Sequence, residues 1–210
     1  MTRVKICGIN DADGFDSAVA AGADYAGFVF FPPSPRHVTA EQAATLSSRH
    51  QGGPLRVALF VKPSDDDIAR VLAIFRPDIL QIYADAPRAA AIRARFGLPV
   101  WRAVGVSSVD DLPRSTDGVD GLVIEAKPPQ DATRPGGNAV RFDWSILADW
   151  SPGYDWVLAG GLNPDNVAEA VRRTHPPVVD VSSGVESAPG VKDPARIRAF
   201  VAHARAAACA

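Results

Sequence analysis

Lysine and cysteine alternate in one short apolar run, Val4-Lys5-Ile6-Cys7, which puts an ammonium and a thiol on the same face of an extended chain. An ammonium nearby favours the thiolate, so Cys7 reads as a base or nucleophile usable near neutral pH; without that context it would be a small buried hydrophobe. A lysine buried beside it needs a carboxylate, and Glu125 and Asp180, at the ends of two later apolar runs, can supply one. Glu125 therefore reads either as a structural partner of Lys5 or as a reacting carboxyl. Two glycine clusters close later runs, Ala159-Gly160-Gly161-Leu162-Asn163-Pro164 and Ser182-Ser183-Gly184-Val185-Glu186. Glycine lets backbone N–H groups approach an anion, a following helix N-terminus adds a favourable dipole, and serine hydroxyls donate further bonds, so the pair suits a phosphate. A proline-stiffened loop, Phe30 to His37, carries Arg36, whose planar fork can grip a carboxylate. The four histidines, His37, His50, His175 and His203, lack metal-ligand spacing and Cys7 has no partner cysteine in a binding motif, so no metal is expected.

Such residues need a frame that brings run ends together. Eight apolar runs alternate with stretches of helical period: Val4 to Cys7, Tyr25 to Phe30, Leu55 to Val61, Ile79 to Ile82, Val100 to Val104, Gly121 to Glu125, Trp156 to Ala159 and Val178 to Val181. Ser64-Asp65-Asp66-Asp67 predicts a capped helix with an acidic first turn, and Asn163-Pro164 a cap with proline at the first position. Helix bodies fall at Ala86 to Phe96 and Pro194 to Ala207, and a fifth helix is expected within Ser107 to Thr116. The starts of the runs lie about 21 to 35 residues apart, with no linker long enough to divide the chain, so residues 1–210 read as one domain. Eight parallel strands closing into a (β/α)8 barrel is the expected fold. An open doubly wound sheet is disfavoured, because no Gly-x-Gly-x-x-Gly follows the first run and the glycine clusters follow the seventh and eighth, where barrels often bind phosphate.

Composition narrows the function classes. The chain has 210 residues, a formal net charge of -2, 47% hydrophobic and 22% charged residues, which leaves no broad basic surface for nucleic acid. Two cysteines, Cys7 and Cys209, are too few for a disulfide framework, and Cys209 reads as inert tail. No targeting segment is legible after Met1, and no apolar run approaches the ~20 residues a spanning helix needs, so a cytoplasmic protein off the membrane is expected.

These residues carry a resemblance: Lys5-Ile6-Cys7-Gly8-Ile9, Ala21-Gly22-Ala23-Asp24, Ser34-Pro35-Arg36, Leu59-Phe60-Val61, Leu80-Gln81, Gly136-Gly137-Asn138 with Phe142-Asp143-Trp144, Leu158 to Leu162, and Asp180 to Glu186. In that order, from first run to last, they resemble phosphoribosylanthranilate isomerase of tryptophan biosynthesis. The resemblance implies a cofactor-free Amadori rearrangement of a small phosphorylated substrate by a monomer or homodimer. It implies Cys7 as base, the carboxyl at Glu125 as acid and Arg36 on the anthranilate carboxylate. Gly160, Gly161, Ser182, Ser183 and Gly184 would hold the phosphate, with Asp180 lining the site and Lys5 supporting it. The chain departs from the family pattern at Glu125, where aspartate is usual, at Tyr83, where histidine is usual, and at Ala139, where glycine is usual. These departures leave two alternatives open: a diverged paralogue that binds a phosphorylated ligand with little turnover, or an isomerase of another sugar phosphate.

Overall fold

The computed structural model describes residues 1–127 and 143–208; the readings of Gly136 to Ala139, Phe142 and Cys209 lie outside them. Eight strands, β1 (Arg3–Cys7), β2 (Tyr25–Phe30), β3 (Leu55–Val61), β4 (Ile79–Tyr83), β5 (Val100–Val106), β6 (Gly121–Ala126), β7 (Trp156–Leu158) and β8 (Val178–Val181), close in chain order into a parallel barrel. β8 pairs with β1 with Asp180 opposite Lys5, and β1 pairs with β2 with Cys7 opposite Gly27. Among the described residues six α-helices surround it: α1 (Ala12–Ala20), α2 (Ala40–Ser48), α3 (Asp65–Leu72), α4 (Ala86–Phe96), α5 (Val167–Thr174) and α6 (Pro194–Ala207). After β8 an antiparallel hairpin, β9 (Glu186–Ala188) and β10 (Val191–Lys192), precedes α6.

Parallel strands are covered on both faces, which is why they read as near-continuous apolar runs. Outward residues such as Val4, Ile6, Phe28, Phe60, Leu80, Ile82, Leu122 and Ile124 pack against helix residues including Phe15, Ile68, Ile92 and Phe200 in one core. Inward residues form a separate plug of Tyr25, Val57, Ile79, Trp101, Val123, Val157 and Val178, with Tyr25 and Trp101 meeting edge to face. Cys7, Val29 and Leu59 form a smaller inward cluster, with Tyr83 against it. Each fully buried Leu, Ile or Phe contributes about 1.5–3 kcal/mol, so the plug closes the barrel and leaves chemistry to its mouth.

Two expectations about helices need correction. The fifth is a single tight turn, Val109–Asp111, because Pro113 holds Leu112 in an extended conformation (φ −66°, ψ 127°) and Asp111 turns back to accept from Ser107 and Ser108. After β6 the described residues resume at 143 and hold a short turn, Trp144–Leu147. The cap at Ser64 forms as expected, reciprocated by Asp67. With Asn166 at the N-cap of α5, Asn163 stands in the turn before the helix, three residues ahead of the observed cap, and not at the cap expected of it. Its side chain accepts from Asp165 and Asn166, its carbonyl accepts from Val167, and α5 runs on from there.

Candidate active site

Strand parity puts Lys5 and Cys7 inside the barrel, and the absence of a side chain at Gly27 gives them room: a Cβ there would lie 2.9 Å from Cys7 Sγ and 3.2 Å from Lys5 Nζ. Of the two candidate carboxylates, Lys5 takes Asp180, donating to Oδ1 at 3.0 Å with its ammonium fully buried. Burial would lower the Lys5 pKa, but Asp180 and Cys7 outweigh it and hold the ammonium charged above its ordinary value. The pair in turn overrules the expectation of a ready thiolate. Burial pushes the Cys7 thiol up, Lys5 pulls it down, and Asp180, added to burial, leaves it above its ordinary value.

Glu125 ends β6 with its side chain inward and only 7% of the residue exposed. Burial pushes its carboxyl up to about 8; hydrogen bonding to Tyr83 acts in the opposite direction, the Asp180 charge adds to the rise, and Lys5 opposes it. At neutral pH this carboxyl is therefore protonated, a donor rather than a counter-ion. Tyr83 reaches it across β5, whose register partner of Glu125 is Gly105, a residue with no side chain to block the way. Two departures from the family pattern thus face one another.

The glycine loops are built as close approaches. Gly160 (φ 87°) lies against β6, where a Cβ would come within 3.1 Å of the Ala126 nitrogen and 3.5 Å of Glu125 Cβ. The Gly161 carbonyl accepts from Asn166 Nδ2 at 2.9 Å, fixing the loop to the start of α5. Gly184, within the turn Ser183–Val185, touches the loop after β7 so closely that a Cβ would overlap the Leu162 carbonyl. Gly8 (φ 77°) sits between Arg36 and Ser182, with a would-be Cβ 2.5 Å from Arg36 Cδ and 3.1 Å from Ser182 Oγ. The ends of β1, β7 and β8 and the loop after β2 therefore meet at one mouth.

Arg36 is not the open loop guanidinium that the sequence suggests. It is 6% exposed, and its Nε and Nη2 donate to the two carboxylate oxygens of Glu186 at 2.7 and 2.8 Å. Glu186 also accepts from Lys192 Nζ at 2.7 Å and from the Gly190 backbone at 3.1 Å. Burial would raise the Glu186 carboxyl, but Arg36 and Lys192 hold it below its ordinary value, so it is ionised. Sequence reasoning gave no role to Glu186, Lys192 or Gln81. Gln81 did leave a signal, one polar residue inside an apolar run; it is inward, 1% exposed, and neither of its amide atoms has a partner among the described residues. Lys192 left none, standing in a turn-rich segment without period. Among the described residues no cluster of His, Cys, Asp or Glu is placed to hold a metal ion, and no helix is long and apolar enough to cross a membrane.

Comparison with known proteins agrees with this architecture. The family model described as N-(5'phosphoribosyl)anthranilate (PRA) isomerase matches residues 4–203. A relative from Granulibacter bethesdensis, N-(5'-phosphoribosyl)anthranilate isomerase, is 55% identical over 207 residues, which is 98% of this chain and 99% of the relative. The crystal structure of phosphoribosyl anthranilate isomerase from Thermotoga maritima superposes with a TM-score of 0.86 at 34% identity, covering 98% of this chain and all of that one (100%). A structure of the isomerase in complex with reduced 1-(o-carboxyphenylamino)-1-deoxyribulose 5-phosphate gives 0.84 at 33%, with 98% and 100% covered. With its eight-stranded barrel, its paired glycine loops and this similarity along nearly its whole length, the chain belongs to the N-(5'-phosphoribosyl)anthranilate isomerase family.

Proposed function

We propose that this protein converts N-(5'-phosphoribosyl)anthranilate to 1-(2-carboxyphenylamino)-1-deoxyribulose 5-phosphate, a step of tryptophan biosynthesis, by acid–base catalysis with Glu125 as acid and Cys7 as base. The observation that carries this reading is the buried carboxyl of Glu125, pushed up to about 8 by burial, in a barrel mouth shared with Cys7. A general acid must hold its proton at working pH, and an ordinary carboxylate does not. Glu125 protonates the furanose ring oxygen, the C1–O bond breaks, and the aryl amine nitrogen forms a Schiff base with C1. Cys7, as the thiolate, removes the proton from sugar C2. The enolamine then tautomerises to the ketone, one proton arriving at C1 and one leaving the C2 hydroxyl.

The grips follow the same logic. Backbone N–H groups at Gly160, Gly161 and Gly184 and the hydroxyls of Ser182 and Ser183 take the phosphate. Arg36, anchored through Nε and Nη2, keeps Nη1 for the anthranilate carboxylate. Around the mouth Lys5, Arg36 and Lys192 face Asp180 and Glu186, three cations against two carboxylates, an excess that suits an anionic substrate. Asp180, fixed by Lys5, lines the site. The reading takes residues 1–210 as one domain, working in the cytoplasm without a cofactor as a monomer or homodimer; a Thermotoga maritima relative of known structure is described as dimeric.

The test follows loss of substrate fluorescence, with phosphoribosylanthranilate generated in situ from anthranilate. Wild type should turn over at roughly 1 to 1,000 per second, and Glu125→Gln and Cys7→Ser should each abolish turnover. A silent wild type from which Glu125→Asp recovers activity would overturn the reading in favour of a diverged ligand-binding paralogue.

A further inference from the structure

Lys192 is buried to the tip of its side chain, yet it lies on the β9–β10 hairpin, outside the eight barrel strands. Its ammonium donates to Glu186 Oε1 at 2.7 Å and to the backbone carbonyl of Ser182 at 3.1 Å. The first bond reaches the carboxylate that holds Arg36 by two donors, and the second reaches the loop after β8. The hairpin is fixed at both ends. Gly190 (φ 82°) lies so close to the Arg36 loop that a Cβ would stand 2.5 Å from the Pro35 carbonyl, and the stem of Lys192 runs against Gly14 of α1, where a Cβ would come within 3.1 Å.

As a device for stability this arrangement is a poor one. A buried ion pair against a hydrophobic replacement of similar size is often neutral or worse, because both ions lose water. What the pair does supply is direction: one ammonium fixes the orientation of a carboxylate and of a peptide carbonyl that belong to different loops. We propose that Lys192 is a positioning residue that ties the carboxylate grip at Arg36 to the phosphate loop at Ser182. The proposal rests on the reading of Arg36, Ser182 and Cys7 given above. The groups bearing on Lys192 are Glu186, Cys7 and Arg36, and those bearing on Cys7 are Lys5, Asp180 and Lys192. Both Lys5 and Lys192 favour the thiolate, while Asp180 and burial oppose it, so losing Lys192 raises the Cys7 pKa further.

The experiment compares wild type, Lys192→Met and Lys192→Arg, each first checked for folding by circular dichroism. Three quantities are read: kcat and KM, the affinity for reduced 1-(o-carboxyphenylamino)-1-deoxyribulose 5-phosphate by calorimetry, and the pH midpoint of Cys7 alkylation by iodoacetamide followed on the Cys7 peptide. Lys192→Met should weaken analogue binding about 10- to 100-fold, the value of one lost charge-assisted bond, and move the alkylation midpoint to higher pH. Lys192→Arg, with its charge kept and its geometry changed, should keep the midpoint near wild type while still weakening the analogue. If Lys192→Met fails to fold, the arginine variant decides alone: unchanged binding there overturns the positioning role. A folded Lys192→Met protein with wild-type affinity and wild-type alkylation midpoint also overturns it. Because binding and alkylation need no turnover, a wild type inactive on phosphoribosylanthranilate would sink the functional reading while leaving this one to be judged on its own two measurements.

Discussion

Replacing Glu125 with glutamine keeps the shape of the side chain and removes its titration, and the consequence can be read in stability as well as in rate. The folded protein holds a proton on Glu125 up to about pH 8, whereas the unfolded chain releases it at the ordinary 4.5. Between those values the native state binds one more proton than the unfolded state, so unfolding free energy falls as pH rises, by ~1.4 kcal/mol per pH unit. Over the roughly 3.5 units between them the loss reaches about 5 kcal/mol, complete above pH 8 and absent below 4.5. Asp16, held down to about 2 by Arg49 and then His50, acts below this window, and the raised thiol of Cys7 and phenol of Tyr83 act above it.

The assay is urea unfolding of wild type and Glu125→Gln at several pH values from about 5 to about 8.5, with stability taken from the linear extrapolation. Wild type should lose stability relative to the variant by about 4 kcal/mol across that range, because only wild type must either keep the proton or bury the charge. If the two curves run parallel to within ~1 kcal/mol, Glu125 is ionised and solvated at neutral pH, and it cannot be the standing acid of the proposed reaction.

The same electrostatics make the pH profile of kcat/KM a bell on the alkaline side, rising through about 8 and falling only above the raised Cys7 pKa; an optimum at or below neutrality would rule out these two groups as the reacting pair. Tyr83→Phe removes the hydrogen bond that favours ionised Glu125, so the carboxyl should climb above about 8 in an infrared titration of its protonated band, and an unchanged midpoint would refute the contact. Gly184→Ala forces a Cβ onto the Leu162 carbonyl; it should cost about 2 kcal/mol or more in urea unfolding and raise KM through the phosphate loop, whereas a wild-type KM would detach that loop from the substrate. Lys5→Met leaves Asp180 charged and buried without its partner and should cost about 3–5 kcal/mol, part of which Asp180→Asn recovers when combined with it; a neutral Lys5→Met would mean that the pair is solvated.

The barrel was legible because its strands are covered on both faces. Tyr25–Phe30 stands out as an unbroken apolar run, Leu55–Val61 and Val178–Val181 as apolar runs that each carry one charged residue, Arg56 and Asp180, and all three fold with those bounds. Parity was legible too: Lys5 and Cys7 point inward because Val4 and Ile6 are needed outward in the helix-facing core. The helix after β5 was misread because its acidic and apolar residues carry the composition of a helix, while one proline, Pro113, decides the backbone.

Partners and charge states lie beyond local pattern. Glu186 follows Arg36 by 150 residues, and nothing in either segment states that a guanidinium at the barrel mouth is already held by a carboxylate. The alternation in Val4-Lys5-Ile6-Cys7 argues for a thiolate, since it displays the cation and hides both the depth of burial and Asp180 across the β8–β1 seam. Folding reverses the sign of that argument. It leaves Cys7 and Glu125 both protonated at neutral pH, so the form that the reaction requires, a thiolate beside a carboxylic acid, is a minor arrangement of the pair after one proton has left. Lys5 and Lys192 both favour the thiolate and so enlarge that minor share, while Lys5 also pulls on the Glu125 proton, so the protonated carboxyl is kept by burial and Asp180 against the same cation that helps the base.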